Sequence, residues 1–437
     1  MMYLTDERLL RERYGALLDL FERTPECADC SFMPSQSGHL TARVQTDGGL
    51  RFLHSAVDPY IEANTFVNSA LMHERGIPLI VGFGLGYHLE ELYARHATFE
   101  RVIVFEPRAD ILKEACVRRD LAKLFAHGNL TILTGFDDAQ AVAHLAQLVS
   151  DPALSERLSL VVHKPSLNLY EHAYPRFVDV LQKTVTDLAA AHLMRDNALA
   201  NLDAVKRAEG IAAYAGRYTG KTCAVVAAGP SLSQTLSYLR DNRAALTVIA
   251  VTTAVKPLLA AGIKPDFIVL ADQQRIMRTH LDGIDVSTIP MLFLPTASHD
   301  AVAAYAGPLV VALQHGYPLC DELEAAWHKG RLQVGGSVVT VALGFALQCG
   351  FARVEFAGLD LAYADGYSHA DGVEKRAPVA ATETVMSVRG TLSPTTNPML
   401  SFKTWIEVSI ASHPEVVFVN LSPCGARIAG TLAGDMG

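Results

Sequence analysis

Apolar positions along the chain change their spacing several times. Near the start, Leu9, Leu10, Tyr14, Leu17, Leu18 and Phe21 recur at helical intervals, which predicts an opening amphipathic helix. The next segment, HLTARVQTDGGLRFLHS, holds two short alternating stretches around Asp47-Gly48-Gly49 and reads as a hairpin. From residue 78 the pattern becomes short solid apolar runs: PLIVGF, RVIVFE, LTILTG and RLSLVVH. Each is followed by residues of helical period. Strands buried on both faces look like this, so the pattern predicts a parallel sheet with helices between its strands.

Between about Tyr170 and Tyr214 the chain is nearly free of glycine and rich in Ala, Leu and Asp, which predicts long helices. A second series of apolar runs starts at Lys221: CAVVAA, LTVIAV, DFIVLA, MLFLP, LVVAL, RVEFAG and VVFVN. No repeat of solenoid period is visible. The fold class is therefore α/β, two tandem Rossmann-like domains with a helical connector. The expected boundaries are 1–165 for the first domain with its leading helix and hairpin, 166–216 for the connector, and 217–437 for the second domain.

Composition narrows this picture. The 437 residues exceed what one hydrophobic core holds, about 250–300. With half the residues hydrophobic and 19% charged the chain is a folded one, and a net charge of -9 excludes a general nucleic-acid binder. The opening MMYLTDERLLRERYGALL is charged and amphipathic, so no signal peptide is expected. The longest apolar stretch, VVTVALGFALQCGF, falls short of the roughly 18–20 residues of a membrane span. Seven cysteines lie without a disulfide framework, and CADC (Cys27, Cys30) reads as two incidental thiols. A cytoplasmic protein that contacts neither membrane nor nucleic acid is expected.

Two glycine turns carry candidate chemistry. In VGFGLGYHLEEL, Gly82, Gly84 and Gly86 stand between a strand and a helix, and Glu106 ends the next strand. That is close to a dinucleotide fingerprint, in which the carboxylate holds a ribose, although the spacing is GxGxG. The competing reading is that the glycines only let strand and helix pack closely. In CAVVAAGPSLSQTLSYL, Gly229 leaves room against a strand end, Pro230 suits a first helical position, and Ser231 adds a hydroxyl beside free N–H groups. This turn is expected to receive a phosphate or carboxylate.

Other polar residues fall at neighbouring strand ends, where parallel sheets bind ligands. Thr252 and Thr253 close LTVIAV, and Asp272 follows DFIVLA. Gly335-Gly336-Ser337 opens a later helix as a second anion-type turn, Asp360 and Tyr363 follow RVEFAG, and His369 lies in the polar segment beyond. Residues 364–387 have little periodicity and are expected to form a lid. His280, His299, His315, His328 and His413 show no metal-ligand spacing and are read as surface or packing residues.

The order GPSL, GIKPDF…D, GGSV…GLDLAY…SHA and NLSPCGARIAG resembles the motility accessory factor (Maf) flagellin glycosyltransferases, whose second domain is of the MptE-like type. GFGLGYHLEEL…VFEP resembles the family's N-terminal domain, so the likeness covers most of the chain. The core is similar to bacterial CMP-sialic-acid sialyltransferases, making the second domain sialyltransferase-like. The resemblance implies an enzyme that moves a nonulosonic acid, pseudaminic or legionaminic, from a CMP donor to Ser or Thr of flagellin. It implies that Gly229, Pro230 and Ser231 touch CMP, that Thr253 and Asp272 line the nucleoside, and that Gly336 and Ser337 meet the phosphate or carboxylate. Asp360 would shape the site, Tyr363 would assist the leaving phosphate and His369 would be the base. Because CMP leaves with one phosphate, no metal is expected. Ala228 departs from the Asn of the sialyltransferases, which removes one nucleotide contact. The alternatives are an ATP- and Mg²⁺-dependent 6-hydroxymethylpterin diphosphokinase, which shares GPSL, a methyltransferase built on Gly82–Glu106, and a non-catalytic flagellin-binding protein.

Overall fold

A computed structural model describes residues 7–46, 48–69, 76–95, 99–151, 153–155, 157–363 and 381–434. The chain divides into two units, 1–189 and 190–437. His369 and most of the expected lid lie outside the described residues.

The first unit opens with the helix Glu7–Arg23, which breaks helical geometry at Tyr14 and buries Leu18 and Phe21. The predicted hairpin is β2 (Leu40–Thr46) and β3 (Gly49–Phe52), and β1 (Cys30–Pro34) joins β2 antiparallel on its other side. After the helix Pro59–Ser69 come the four apolar runs, as β4 (Ile77–Val81), β5 (Val102–Glu106), β6 (Leu130–Thr134) and β7 (Leu158–Val162). They form one parallel sheet in the order β6-β5-β4-β7. Every residue of β4 and β5 is buried, which is why these runs show no alternation. The chain starts this sheet at β4 and adds strands to both sides, so the direction of winding reverses between β4 and β7.

The second unit is built on nine parallel strands. In chain order they are β8 (Glu209–Gly210), β9 (Thr222–Val226), β10 (Leu246–Val251), β11 (Phe267–Leu270), β12 (Met291–Phe293) and β13 (Leu309–Val311). A separate pair, β14 (Leu313–Gln314) and β15 (Arg331–Leu332), precedes β16 (Arg353–Ala357). The hairpin β17 (Glu383–Met386) and β18 (Leu392–Thr395) comes before β19 (Val417–Asn420) and β20 (Leu432–Ala433). The large sheet runs β20-β19-β16-β9-β10-β11-β12-β13-β8, and its winding reverses between β9 and β16.

The glycine-poor stretch is helical as predicted, over Pro175–Ala200 and Leu202–Arg207, but its latter part is integral to the second unit. Asn197 donates to the carbonyls of Gln273 and Thr296, and Asn201 to those of Pro295 and Ala297. Glu209–Gly210 then adds the edge strand β8 beside β13. Hydrogen bonds from two buried amides thus tie these helices to the loops after β11 and β12.

Candidate functional site

The strand ends of the second sheet enclose a cavity of about 330 Å³. Its walls come from the residues at and after the ends of β9 (Ala227–Gly229), β10 (Val251–Thr253), β11 (Asp272) and β16 (Gly358–Ala362). This is the carboxyl edge beside the winding reversal, where open α/β sheets bind ligands. Two helices begin at the wall: Thr252–Ala260 and Val338–Cys349, the latter contributing Ser337, Val338 and Val339. Their first N–H groups are unsatisfied within the helix, so each end favours an anion. Ser337 occupies the N-cap position, yet its side chain makes no capping hydrogen bond. Its carbonyl accepts from the Thr340 N–H and hydroxyl instead.

Of the residues expected at the site, Gly229, Thr253, Asp272, Ser337 and Asp360 line this one cavity. Pro230, Ser231, Gly336 and Tyr363 lie beside it without lining it. Gly336 has a φ of +85°, which a glycine adopts freely, and turns the chain into the Val338 helix. Tyr363 is buried, and its N–H donates to the Pro394 carbonyl. Leu361 holds a φ of +51°, strained for a non-glycine residue, and its carbonyl accepts from the Thr395 hydroxyl. The β17–β18 hairpin therefore secures the GLDLAY segment.

The GPS turn differs from the sequence expectation in its details. The helix starts at Leu232, so Ser231 is the N-cap and Pro230 precedes it instead of occupying the first helical position. The anion that the Ser231 N–H meets is the protein's own: it donates to Asp360 Oδ2 at 2.8 Å. Asp360 Oδ1 accepts from the Ser422 hydroxyl at 2.5 Å, and Ser422 Oγ accepts from the Gly425 N–H. A Cβ on Gly229 would lie 2.5 Å from both Asp360 Oδ2 and the Gly358 carbonyl. The space beside this glycine thus belongs to a buried carboxylate that joins GPS, GLD and NLSPCG, three motifs distant in the chain.

Sequence reasoning missed several lining residues. His280, read as surface or packing, lines the cavity from the turn Arg275–His280 together with Ile276 and Met277. Met399 and Phe402, on the helix Asn397–Ala411, supply an apolar wall from the other side. Their i, i+3 spacing at a helix start was the available signal. Among the described residues lining the cavity there is no Lys or Arg, and the groups there that favour an anion are the two helix N-termini. His299 bonds Asn201 and His413 bonds the Ser409 carbonyl, both local packing roles.

In the first unit the glycine fingerprint is filled from within. A Cβ on Gly82 would lie 2.6 Å from Ser166, and one on Gly84 would lie 2.6 Å from His54 Nε2. Glu106 is fully buried and accepts from the N–H groups of Phe83 and Arg108 and from the Tyr170 hydroxyl. Burial pushes its pKa up to about 7 against the pull of those donors. A carboxylate so engaged is not presented to a ribose. Cys27 is buried and its thiol donates to Asp29, which Arg108 pairs.

Comparison with known proteins follows the two units. Residues 41–188 match the family model for the glycosyltransferase Maf N-terminal domain, and residues 196–366 match the 6-hydroxymethylpterin diphosphokinase MptE-like model. Among solved structures the chain is similar to the MAf glycosyltransferase from Magnetospirillum magneticum AMB-1, with 16% identity and a TM-score of 0.47, covering 99% of this chain and 74% of that one. A hydrogen sulfide-producing enzyme (Fn1220) from Fusobacterium nucleatum aligns at 11% identity and a TM-score of 0.17, over 78% of this chain and 96% of that one. No match is found among curated proteins.

Proposed function

The chain belongs to the Maf glycosyltransferase family, carrying its N-terminal domain and an MptE-like domain in succession, and from that premise we propose that it transfers a nonulosonic acid from a CMP donor to a hydroxyl of flagellin. The observation that carries the donor assignment is the cavity wall. Two helix N-termini and the Ser337 hydroxyl, with no basic side chain among the described lining residues, suit one phosphate or carboxylate better than a polyphosphate. In this reading Asp272 takes the ribose hydroxyls and the Phe402 ring the base, both from the cavity wall.

In the proposed reaction the bond from the anomeric carbon to the CMP phosphate breaks, and its electron pair leaves with CMP. The acceptor oxygen attacks the carbon as positive charge builds there, and its proton passes to a base. His369 is the proposed base, since an imidazole titrates near neutral pH. His280 is the histidine that lines the described cavity. Asp360 is a positioning residue, because both its oxygens already hold the surrounding turns. The helix ends stabilise the leaving phosphate without a metal. Tyr363 is the residue proposed to assist that phosphate, and the proposed setting is the cytoplasm.

The MptE-like match favours one other reading, diphosphate transfer from ATP to a pterin with Mg²⁺. A single experiment separates the two. The full chain is titrated with CMP and with ATP–Mg²⁺ by calorimetry, then incubated with a CMP-nonulosonate and flagellin, with products read by intact mass. CMP binding and a flagellin mass increase of one nonulosonate support the proposal. ATP binding without CMP binding, with AMP released in the presence of the pterin, overturns it.

A further inference from the structure

At the winding reversal of the first sheet, the position a nucleotide takes in many α/β proteins is occupied by histidines. His163 directly follows β7, and His88 lies one residue into the helix Tyr87–Arg95 that follows the glycines after β4. His54, two residues past β3, joins them. All three are at most 2% exposed, and His88 and His163 stack at 4.4 Å between centroids, 6° from parallel. Burial of all three rings disfavours their charged form.

The hydrogen bonds constrain the tautomer of each ring. His88 Nε2 lies 3.0 Å from the Gly82 carbonyl and must donate, which leaves Nδ1 as a bare lone pair. His163 Nδ1 lies 2.7 Å from the Ser166 hydroxyl, and with Nδ1 donating there Nε2 is bare. His88 Nδ1 and His163 Nε2 are both buried without any partner. His54 differs, because its Nε2 accepts from the Leu85 N–H and its proton therefore sits on Nδ1. Glu62, on the helix Pro59–Ser69, places Oε1 3.6 Å from His163 Nε2 and 3.7 Å from His54 Nδ1. Two ligands at about 2.1 Å on a tetrahedral ion stand about 3.4 Å apart, close to that first gap.

We propose that His88 Nδ1, His163 Nε2 and a Glu62 oxygen form a divalent transition-metal site, with the Ser55 N–H holding the other carboxylate oxygen and His54 packed beside it. Two imidazoles and one carboxylate leave a coordination position open, and this donor set suits Zn²⁺. Orienting bonds on the second nitrogen of each ligand histidine, here Gly82 and Ser166, are a regular feature of such sites. A cavity of about 390 Å³ lined by His54, Asp58, Glu62 and Pro165 opens on the Glu62 side of the cluster. Binding turns the stacked rings out of parallel, since both lone pairs must aim at one ion.

The test uses the full chain, stripped with EDTA and equilibrated with Zn²⁺, with stoichiometry from elemental analysis and affinity from calorimetry. Co²⁺ absorption reports the ligand geometry. One Zn²⁺ per chain is expected, weakened at least tenfold in H163Q and in E62Q, and unchanged in a C27S/C30S double variant that removes the other thiol-carboxylate cluster. Glu62 is partly exposed, so E62Q reads the site even where H163Q does not fold. No bound Zn²⁺ in the wild type, full binding in E62Q, or loss in C27S/C30S would each overturn the proposal.

Discussion

Replacing Asp360 distinguishes a structural brace from a reacting carboxylate. The side chain is 3% exposed, and its two oxygens accept from the Ser231 N–H and the Ser422 hydroxyl. Hydrogen bonds to a charged group contribute about 1.5–3 kcal/mol each. Asp360→Ala removes both and leaves a buried N–H unpaired, so a loss of about 3–5 kcal/mol is expected. Asp360→Asn keeps an oxygen for Ser231 and gains an N–H that can donate to Ser422 Oγ. Only the charge assistance is lost, about 1–2 kcal/mol. Urea unfolding of the three proteins measures the stabilities, and CMP titration and flagellin modification measure the site. The expected order is wild type, Asn, then Ala in both stability and function, with Asn retaining most of the turnover. Two variants equally inactive yet as stable as wild type would refute the brace, since only a carboxylate acting on the substrate behaves that way.

Other expectations follow from the same geometry. Gly229→Val drives a side chain into Asp360 and the Gly358 carbonyl, so soluble yield should fall and unfolding should come earlier, by roughly 2 kcal/mol or more. Ser337→Ala should change stability by less than about 0.5 kcal/mol, because no capping bond is lost, while CMP affinity drops about 3–10-fold. Glu106 has a folded pKa raised from 4.5 to about 7 by burial, so its contribution is complete below pH 4.5 and declines as pH rises through 7. Urea midpoints should therefore show wild type losing ground to Glu106→Gln between pH 5 and 8, by up to about 3 kcal/mol. Glycosyl transfer by Glu106→Ala should stay within about tenfold of wild type, the fingerprint being packed by its own side chains. His369→Ala should lower turnover by about 10²–10⁴-fold at unchanged CMP affinity, and wild-type turnover would place the base elsewhere.

The sequence by itself determined the two parallel sheets, because a strand buried on both faces has to be apolar at every position. It also determined which residues stand at strand ends and helix starts, and Gly229, Thr253, Asp272, Ser337 and Asp360 line one cavity. Tertiary structure alone decided what those residues touch. Nothing local in GPS says that its N–H is taken by a carboxylate 129 residues later, since a helix start meets an internal or an external anion equally well. His280 showed no spacing that marks a ligand, the i, i+3 pair Met399 and Phe402 marked only a helix face, and the packing of their elements brings them to the wall. The glycine fingerprint of the first unit reads the same whether its space is open or filled, and it is filled by His54 and Ser166. The buried cluster of His54, His88 and His163, with the partly exposed Glu62 beside it, was invisible for the same reason. Its members come from four separate segments, and the sheet order that places β4 beside β7 brings His88 and His163 together.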